Sequence, residues 1–195
     1  MLLAVVVSAV LALSVPGAQA QVYGWGGCPN VPVAENFDVE RWLGTWVEIA
    51  RFPSSVEKDV DCGTDTYTTQ QDGKIKFQYE GIRYGQAIDH VDPLYAVFNP
   101  EDPAKFSVPY FSISFLPEMP YWILEIDHDP ETGYFVGYTC MDAWVGNMQI
   151  LWIFSKEREM DQERLNGILG RLEGYGVDVT QLEYVRQDDT CPALP

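Results

Sequence analysis

From Thr45 onward the chain is a succession of short apolar or alternating stretches, each closed by a Gly, Pro or Asp turn. They run over 45–52, ending at Pro53, then 64–69, and 74–83 beyond a Gln71-Asp72-Gly73 turn. After these come 95–98 and 106–116, divided by the Asn99–Pro103 turn, then 121–127 and 134–138 on either side of Asp129–Gly133, and finally 149–154. Short, evenly spaced strands with such turns predict an antiparallel sandwich or barrel. The period then changes. From Asp161 to Glu173 the apolar residues Leu165, Ile168, Leu169 and Leu172 fall at i, i+3, i+4 and i+7, which predicts a helix capped by Asp161 and stopped by Gly174 or Gly176. Its single apolar stripe predicts packing against the outside of the sheet. A last strand is expected over 181–186, and the Gly-rich lead 21–32 reads as loose.

The segment Asn36–Trp46 stands apart from this pattern. A polar pair caps a short turn, Phe37, Trp42 and Leu43 pin it with apolar bulk, Gly44 allows a tight backbone, and Trp46 opens a strand. Physically this is a plug at one end of a sheet. A barrel closed at one end is a cup, a shape suited to holding something apolar.

Residues 1–20 carry no charged side chain and end in Ala18-Gln19-Ala20, the small-x-small pattern of a signal peptidase site. The expectation is a signal peptide over 1–20 and a single secreted domain over 21–195. The balance of 12 Lys+Arg against 29 Asp+Glu, formally −17, disfavours nucleic acid and anionic membranes as partners and suits solubility in an extracellular fluid. Four cysteines, Cys28, Cys62, Cys140 and Cys191, argue for two disulfides with three pairings open. No Cys-x-x-Cys pair and no His near a Cys is present, so neither a metal site nor redox chemistry is expected, and no Asn-x-Ser/Thr sequon occurs.

Three separated motifs resemble the lipocalin family, in particular its branch around apolipoprotein D and the insect bilin-binding proteins. Asn36-Phe37-Asp38 with Trp42-Leu43-Gly44-Thr45-Trp46 is similar to the family's Gly-x-Trp block, with Val47-Glu48 where Tyr-Glu is common. Tyr121–Asp127 and Tyr134–Cys140 resemble the Thr-Asp-Tyr block, with Ile126 and His128 replacing its Thr and Tyr. Trp152–Lys156 resembles the third, with Lys156 at the usual Arg. The resemblance implies an all-β fold with one helix: an eight-stranded antiparallel up-and-down barrel with the C-terminal helix outside. It also implies the pairings Cys28–Cys140 and Cys62–Cys191, each worth about 4–5 kcal/mol on the chain-entropy model. Lys156 is expected to keep a cation–π contact with Trp46 of about 0.5–2 kcal/mol at the barrel floor, without the flat stacking of an Arg.

Alternation assigns each strand a wall face and an interior face. The set Phe77, Tyr79, Gly81, Arg83 is expected to face in. By the resemblance, Tyr67, Tyr110, Tyr121 and Trp152 match pocket-lining positions and Arg83 a residue of the pocket mouth. Each aromatic taken singly is equally at home in a filled core, but several buried phenols need partners, which suits a ligand that is apolar with a few polar atoms. Arg83 either meets a ligand carboxylate or stands solvated on the rim. Alternation aims Glu48 and Glu125 inward, and a bulge turning either outward is the preferred expectation. A buried Glu125 would have a raised pKa and could donate to a ligand carbonyl. His90 and His128 read as exposed loop or strand-edge residues, with a haem or chromophore contact for His90 as the sharper alternative.

The function these observations imply is secreted carriage of a small hydrophobic ligand (lipid, steroid, retinoid, bilin or carotenoid) by burial in the barrel, with no cofactor required. One alternative is a pigment protein, coloured by bound bilin or carotenoid and assembled as a homo- or hetero-oligomer. A lipid-modifying enzyme is the rival from another class. It lacks a Gly-x-Ser-x-Gly elbow, and the implied disulfides leave it no thiol, so the chain is expected not to be an enzyme.

Overall fold

The structure is a computed structural model, and it describes residues 21–88, 94–108 and 118–194. The expected signal peptide, His90 and Tyr110 lie outside these residues.

Among the described residues eleven strands are formed: β1 (Val22–Trp25), β2 (Gly44–Arg51), β3 (Val60–Thr69), β4 (Ile75–Arg83), β5 (Gln86–Ile88), β6 (Leu94–Phe98), β7 (Lys105–Val108), β8 (Met119–Asp127), β9 (Tyr134–Ala143), β10 (Gly146–Ser155) and β11 (Glu183–Tyr184). Consecutive barrel strands pair antiparallel from β2 through β3, β4, β6, β7, β8, β9 to β10, and β10 pairs back to β2. This closes the expected eight-stranded barrel and removes the open sheet edges that invite association. β1 and β11 extend the sheet beside β10 and β2, and β5 folds back on β4. The lead over 21–32 is therefore not all loose: Val22–Trp25 pairs with Gly146–Gln149. The last strand shrinks to two residues, because Val179–Gln181 forms a 3-10 turn.

Helix α2 (Gln162–Gly174) forms where the period predicts. The Asp161 side chain accepts from the Arg164 amide at 2.9 Å, and Gly176, at φ +85°, lets the chain leave the helix. Leu165, Ile168 and Leu172 are buried against Val47, Ile49, Ala50, Leu124, Val136, Leu151 and Ile153 on the outer face of the barrel. A second core lies inside the barrel and contains Phe37, Trp42, Trp46, Tyr67, Phe106, Tyr121, Ile123, Phe135 and Phe154.

Bulges in β2 and β8 break the alternation that sequence reading relies on. In β2, Phe154 pairs with Glu48 but Ile153 with Ala50, so Ile49 is the extra residue. Ile49 and Ala50 both belong to the outer core, and Glu48 and Arg51 both face in. In β8 the shift lies between Ile123 and Glu125. Ile123 faces the interior, Leu124 the outer core, and Glu125 turns outward to α2. There Arg171 donates to both its oxygens at 2.7–3.0 Å. The expected outward turn thus occurs at Glu125, where an ion pair replaces the ligand contact considered for it. At Glu48 the expectation is corrected: the bulge follows it, leaving Glu48 fully buried inside.

Two disulfides, Cys28–Cys140 and Cys62–Cys191, tie the N-terminal lead to β9 and the C-terminal tail to β3. These are the two pairings the family resemblance implies.

Candidate functional site: the barrel interior

The floor defines which end of the barrel is closed. Helix α1 (Val39–Trp42) is a single turn whose N-cap, Asp38, accepts from the amides of Glu40 and Arg41 at 3.0 and 3.4 Å. That turn drops Trp42 into the barrel, where its ring lies 4.1 Å from Tyr67, 5.2 Å from Phe106 and 5.8 Å from Phe135. Gly44, at φ +103°, then reverses the chain into β2. Trp46 donates its indole N–H to the Trp42 carbonyl at 2.7 Å, and Lys156 Nζ sits 3.6 Å above the Trp46 ring while donating to the Thr45 carbonyl at 3.1 Å. Burial lowers the Lys156 pKa to about 8.

His128 belongs to this floor and not to an exposed loop. Its ring is buried, with Nε2 3.2 Å from the Asp38 amide and 3.0 Å from the Asn36 carbonyl oxygen. The sequence places His128 beside the Asp129–Gly133 turn, which reads as surface; only the fold shows that the plug comes down on it.

Above the floor, Tyr67 and Phe77 on paired strands β3 and β4 face each other, and Tyr121 of β8 lies parallel to Phe77 at 6.4 Å. Trp152 of β10 closes this aromatic wall 5.6 Å from Tyr121. The fold therefore brings Tyr67, Phe77, Tyr79, Tyr121 and Trp152 to one interior. Arg83 is not among them. Its guanidinium donates to the carbonyls of Lys58 and Val56 at 3.1 and 2.5 Å, holding the loop between β2 and β3.

The phenols do find partners, Tyr67 and Tyr79 on acids and Tyr121 on Tyr67. Tyr67 donates to Asp65 at 2.8 Å and lies 3.0 Å from the Tyr121 hydroxyl, so Tyr121 is left to donate to Tyr67. Tyr79 donates to Glu48 Oε2 at 3.2 Å. Arg51 donates to the same oxygen at 2.7 Å and to the carbonyls of Glu57 and Val60 at 2.7 and 3.0 Å. Trp152 gives its indole N–H to Glu57 Oε1 at 2.8 Å. Glu48 and Glu57 thus flank one guanidinium, with Asp65 a third buried carboxyl beside these two acids. Burial pushes the Glu48 pKa up to about 8, reinforced by Glu57 and opposed by Arg51. It raises Glu57 likewise and takes Asp65 to about 7 against the Tyr67 hydrogen bond.

Gly63 makes room for this cluster. It lies in a bulge of β3, and a Cβ there would run into Glu48 Oε2 and come within 3.2 Å of the Tyr79 oxygen.

Sequence reading missed Arg51, Glu57 and Asp65. Asp65 was reachable, since it shares parity with Tyr67. Arg51 has the wrong parity until the Ile49 bulge is known, and Glu57 comes from a loop that carries no period.

A model of the lipocalin-like domain matches residues 37–187, most of the chain, including the floor and all the interior residues named above. The chain belongs to the lipocalin family. Among its relatives, apolipoprotein D of Cavia porcellus is 31% identical over 183 residues, covering 93% of each chain. The bilin-binding protein of Pieris brassicae is 30% identical over 182 residues, covering 90% of this lipocalin and 91% of the relative. Insecticyanin of the tobacco hornworm Manduca sexta superposes with a TM-score of 0.71 at 18% identity, covering 88% of this lipocalin and 92% of that chain. Lobster apocrustacyanin A1 gives 0.71 at 20%, covering 87% and 93%. At those identities the superpositions speak for the barrel alone. The two disulfides fit the oxidising conditions of an extracellular protein.

Proposed function

We propose that this lipocalin is a secreted carrier of a small, mostly apolar ligand, held in the barrel above the Trp42 floor. The observation that carries the reading is the convergence of Tyr67, Phe77, Tyr79, Tyr121 and Trp152 on one interior over a sealed end. Flat aromatic walls desolvate an apolar ligand, and the phenol and carboxyl oxygens orient its few polar atoms. Tyr110 joins this lining by family resemblance, and Arg83 acts from the rim by holding the loop over 53–59 in place. Residues 1–20 serve as the secretion signal. Function here is burial and release, not chemistry. All four cysteines are in disulfides, so thiol-dependent catalysis has no nucleophile, and the excess of surface acids argues against nucleic acid as a partner.

A second reading, that the ligand is a pigment and the protein assembles into oligomers, is favoured by the similarity to a bilin-binding protein. Purification from the native source, followed by an absorption spectrum and mass spectrometry of the extracted ligand, tests both. A colourless lipid or steroid supports the carrier, and a visible band selects the pigment. Protein that carries nothing, and takes up no hydrophobic probe in titration, overturns the proposal.

A further inference from the structure

The carrier reading leaves open what the polar end of the ligand is, and the hydrogen bonds of the interior bear on that. Its donors are almost all engaged with its own acids. Tyr79 and Arg51 serve Glu48, Trp152 serves Glu57, and Tyr67, backed by Tyr121, serves Asp65. What remains beside Arg51 is two half-engaged acids: Glu48 Oε1 and Glu57 Oε2 are both buried without a hydrogen-bond partner among the described residues, as are the donors Arg51 Nε beside them and Trp42 Nε1 on the floor. Glu48 is fully buried and Glu57 is 7% exposed, so neither is served by bulk solvent.

Charge points the same way. Against Arg51 stand Glu48 of β2 and Glu57 of the following loop, with Asp65 of β3 beside these two acids and the neutral phenols of Tyr67, Tyr79 and Tyr121 from β3, β4 and β8 around them. The acids outnumber the one cation. A ligand ending in carboxylate or phosphate would add anionic charge beside three buried carboxyls. A ligand ending in N⁺–H would meet two carboxyls with a free oxygen each, and as Glu48 gives up its proton to solvent the two would pair as carboxylate and cation.

We propose that the hydrophobic ligand of this lipocalin ends in a hydrogen-bond donor, a protonated amine above all, received between Glu48 and Glu57. The proposal rests on the carrier reading and narrows it. It sets fatty-acid-like anions apart from hydrophobic amines, two classes that an aromatic pocket alone would not distinguish.

Three probes of equal chain length separate the two ideas: decylamine, decanol and decanoate, titrated calorimetrically into the intact disulfide-bonded protein at neutral pH and physiological ionic strength. Decylamine is expected to bind about tenfold or more tighter than decanol, the effect of one charge-assisted hydrogen bond, and decanoate weakest. In Glu48→Gln and Glu57→Gln the amine-to-decanol ratio falls toward one. Exposed Glu173→Gln leaves it unchanged, which excludes general attraction to the acidic surface. If Glu48→Gln does not fold, Glu57→Gln and the wild-type ratio still decide. Decanol or decanoate binding as well as decylamine, or an amine preference surviving both substitutions, overturns the inference while the carrier stands. Failure of all three probes to bind removes the carrier reading and the inference together.

Discussion

Raising the pH from 5 to 8 should weaken the fold, and the buried acids set both the direction and the scale. Burial keeps Glu48 and Asp65 protonated up to about 8 and about 7 in the barrel, against ordinary values of 4.5 and 3.8 once exposed. Between about pH 4 and 8 the folded chain therefore binds more protons than the unfolded one, and stability drops as pH rises. The contribution is complete below the unfolded values and is lost as the pH passes through the folded ones. One proton held across pH 5–8 corresponds to about 4 kcal/mol, a large part of the ~5–15 kcal/mol that holds a typical domain together. Asp65, which holds its proton only to about pH 7, adds at most about 3 kcal/mol more; it lies in one buried cluster with Glu48, so their effects overlap. Above pH 8 the decline eases. Lys156, lowered to about 8 in the fold from 10.5, then leaves the unfolded chain binding more protons. Urea unfolding followed by circular dichroism at pH 5, 6, 7 and 8, with disulfides intact and ionic strength fixed, measures the slope. Glu48→Gln and Asp65→Asn should each flatten it, which separates the cluster from repulsion among surface acids. Stability that is level or rising from pH 5 to 8, or a slope untouched by both substitutions, would refute the reasoning.

Two further substitutions probe the floor and the β3 bulge. Lys156→Met removes the cation above Trp46 and should cost about 0.5–2 kcal/mol in thermal melting, whereas Lys156→Arg should match or exceed wild type; equal melting of all three would show the contact to be idle. Gly63→Ala pushes a methyl group into Glu48 Oε2, so it should destabilise the fold by about 1–3 kcal/mol and move the Glu48–Arg51 pair apart in a crystal structure. Wild-type stability in that variant would show that the bulge yields freely.

Much of the architecture is legible in the sequence because it depends on periods. Leu165, Ile168 and Leu172 announce α2, and the Gly/Pro/Asp turns separate the strands. The plug is legible because Asp38, Trp42 and Gly44 each have a local job. The interior is less so. Tyr67, Phe77 and Tyr121 follow simple alternation and are placed correctly on the inner face. Arg51 and Glu125 lie just past bulges, where one extra residue reverses the parity of everything beyond it. Strand β1 escaped notice because Gly24 and Gly26 suppress strand character, and the edge of β10 supplies its order. His128 and Glu57 depend on contacts made across the fold, which no local pattern encodes.

The extra residue at Ile49 links two parts of the molecule that otherwise have little to do with each other. By placing Ile49 and Ala50 side by side on the outer wall, it widens the seat for α2, and by the same step it delivers Arg51 to the interior. Pairing β2 without the bulge would restore alternation, but Arg51 would then point toward the helix and Ala50 into the barrel. The seat of the helix and the charge inside the cup are thus tied to a single backbone phase. Losing the bulge without a compensating deletion alters both at once, and substitution is the route by which an interior on this strand can diverge while its helix stays docked.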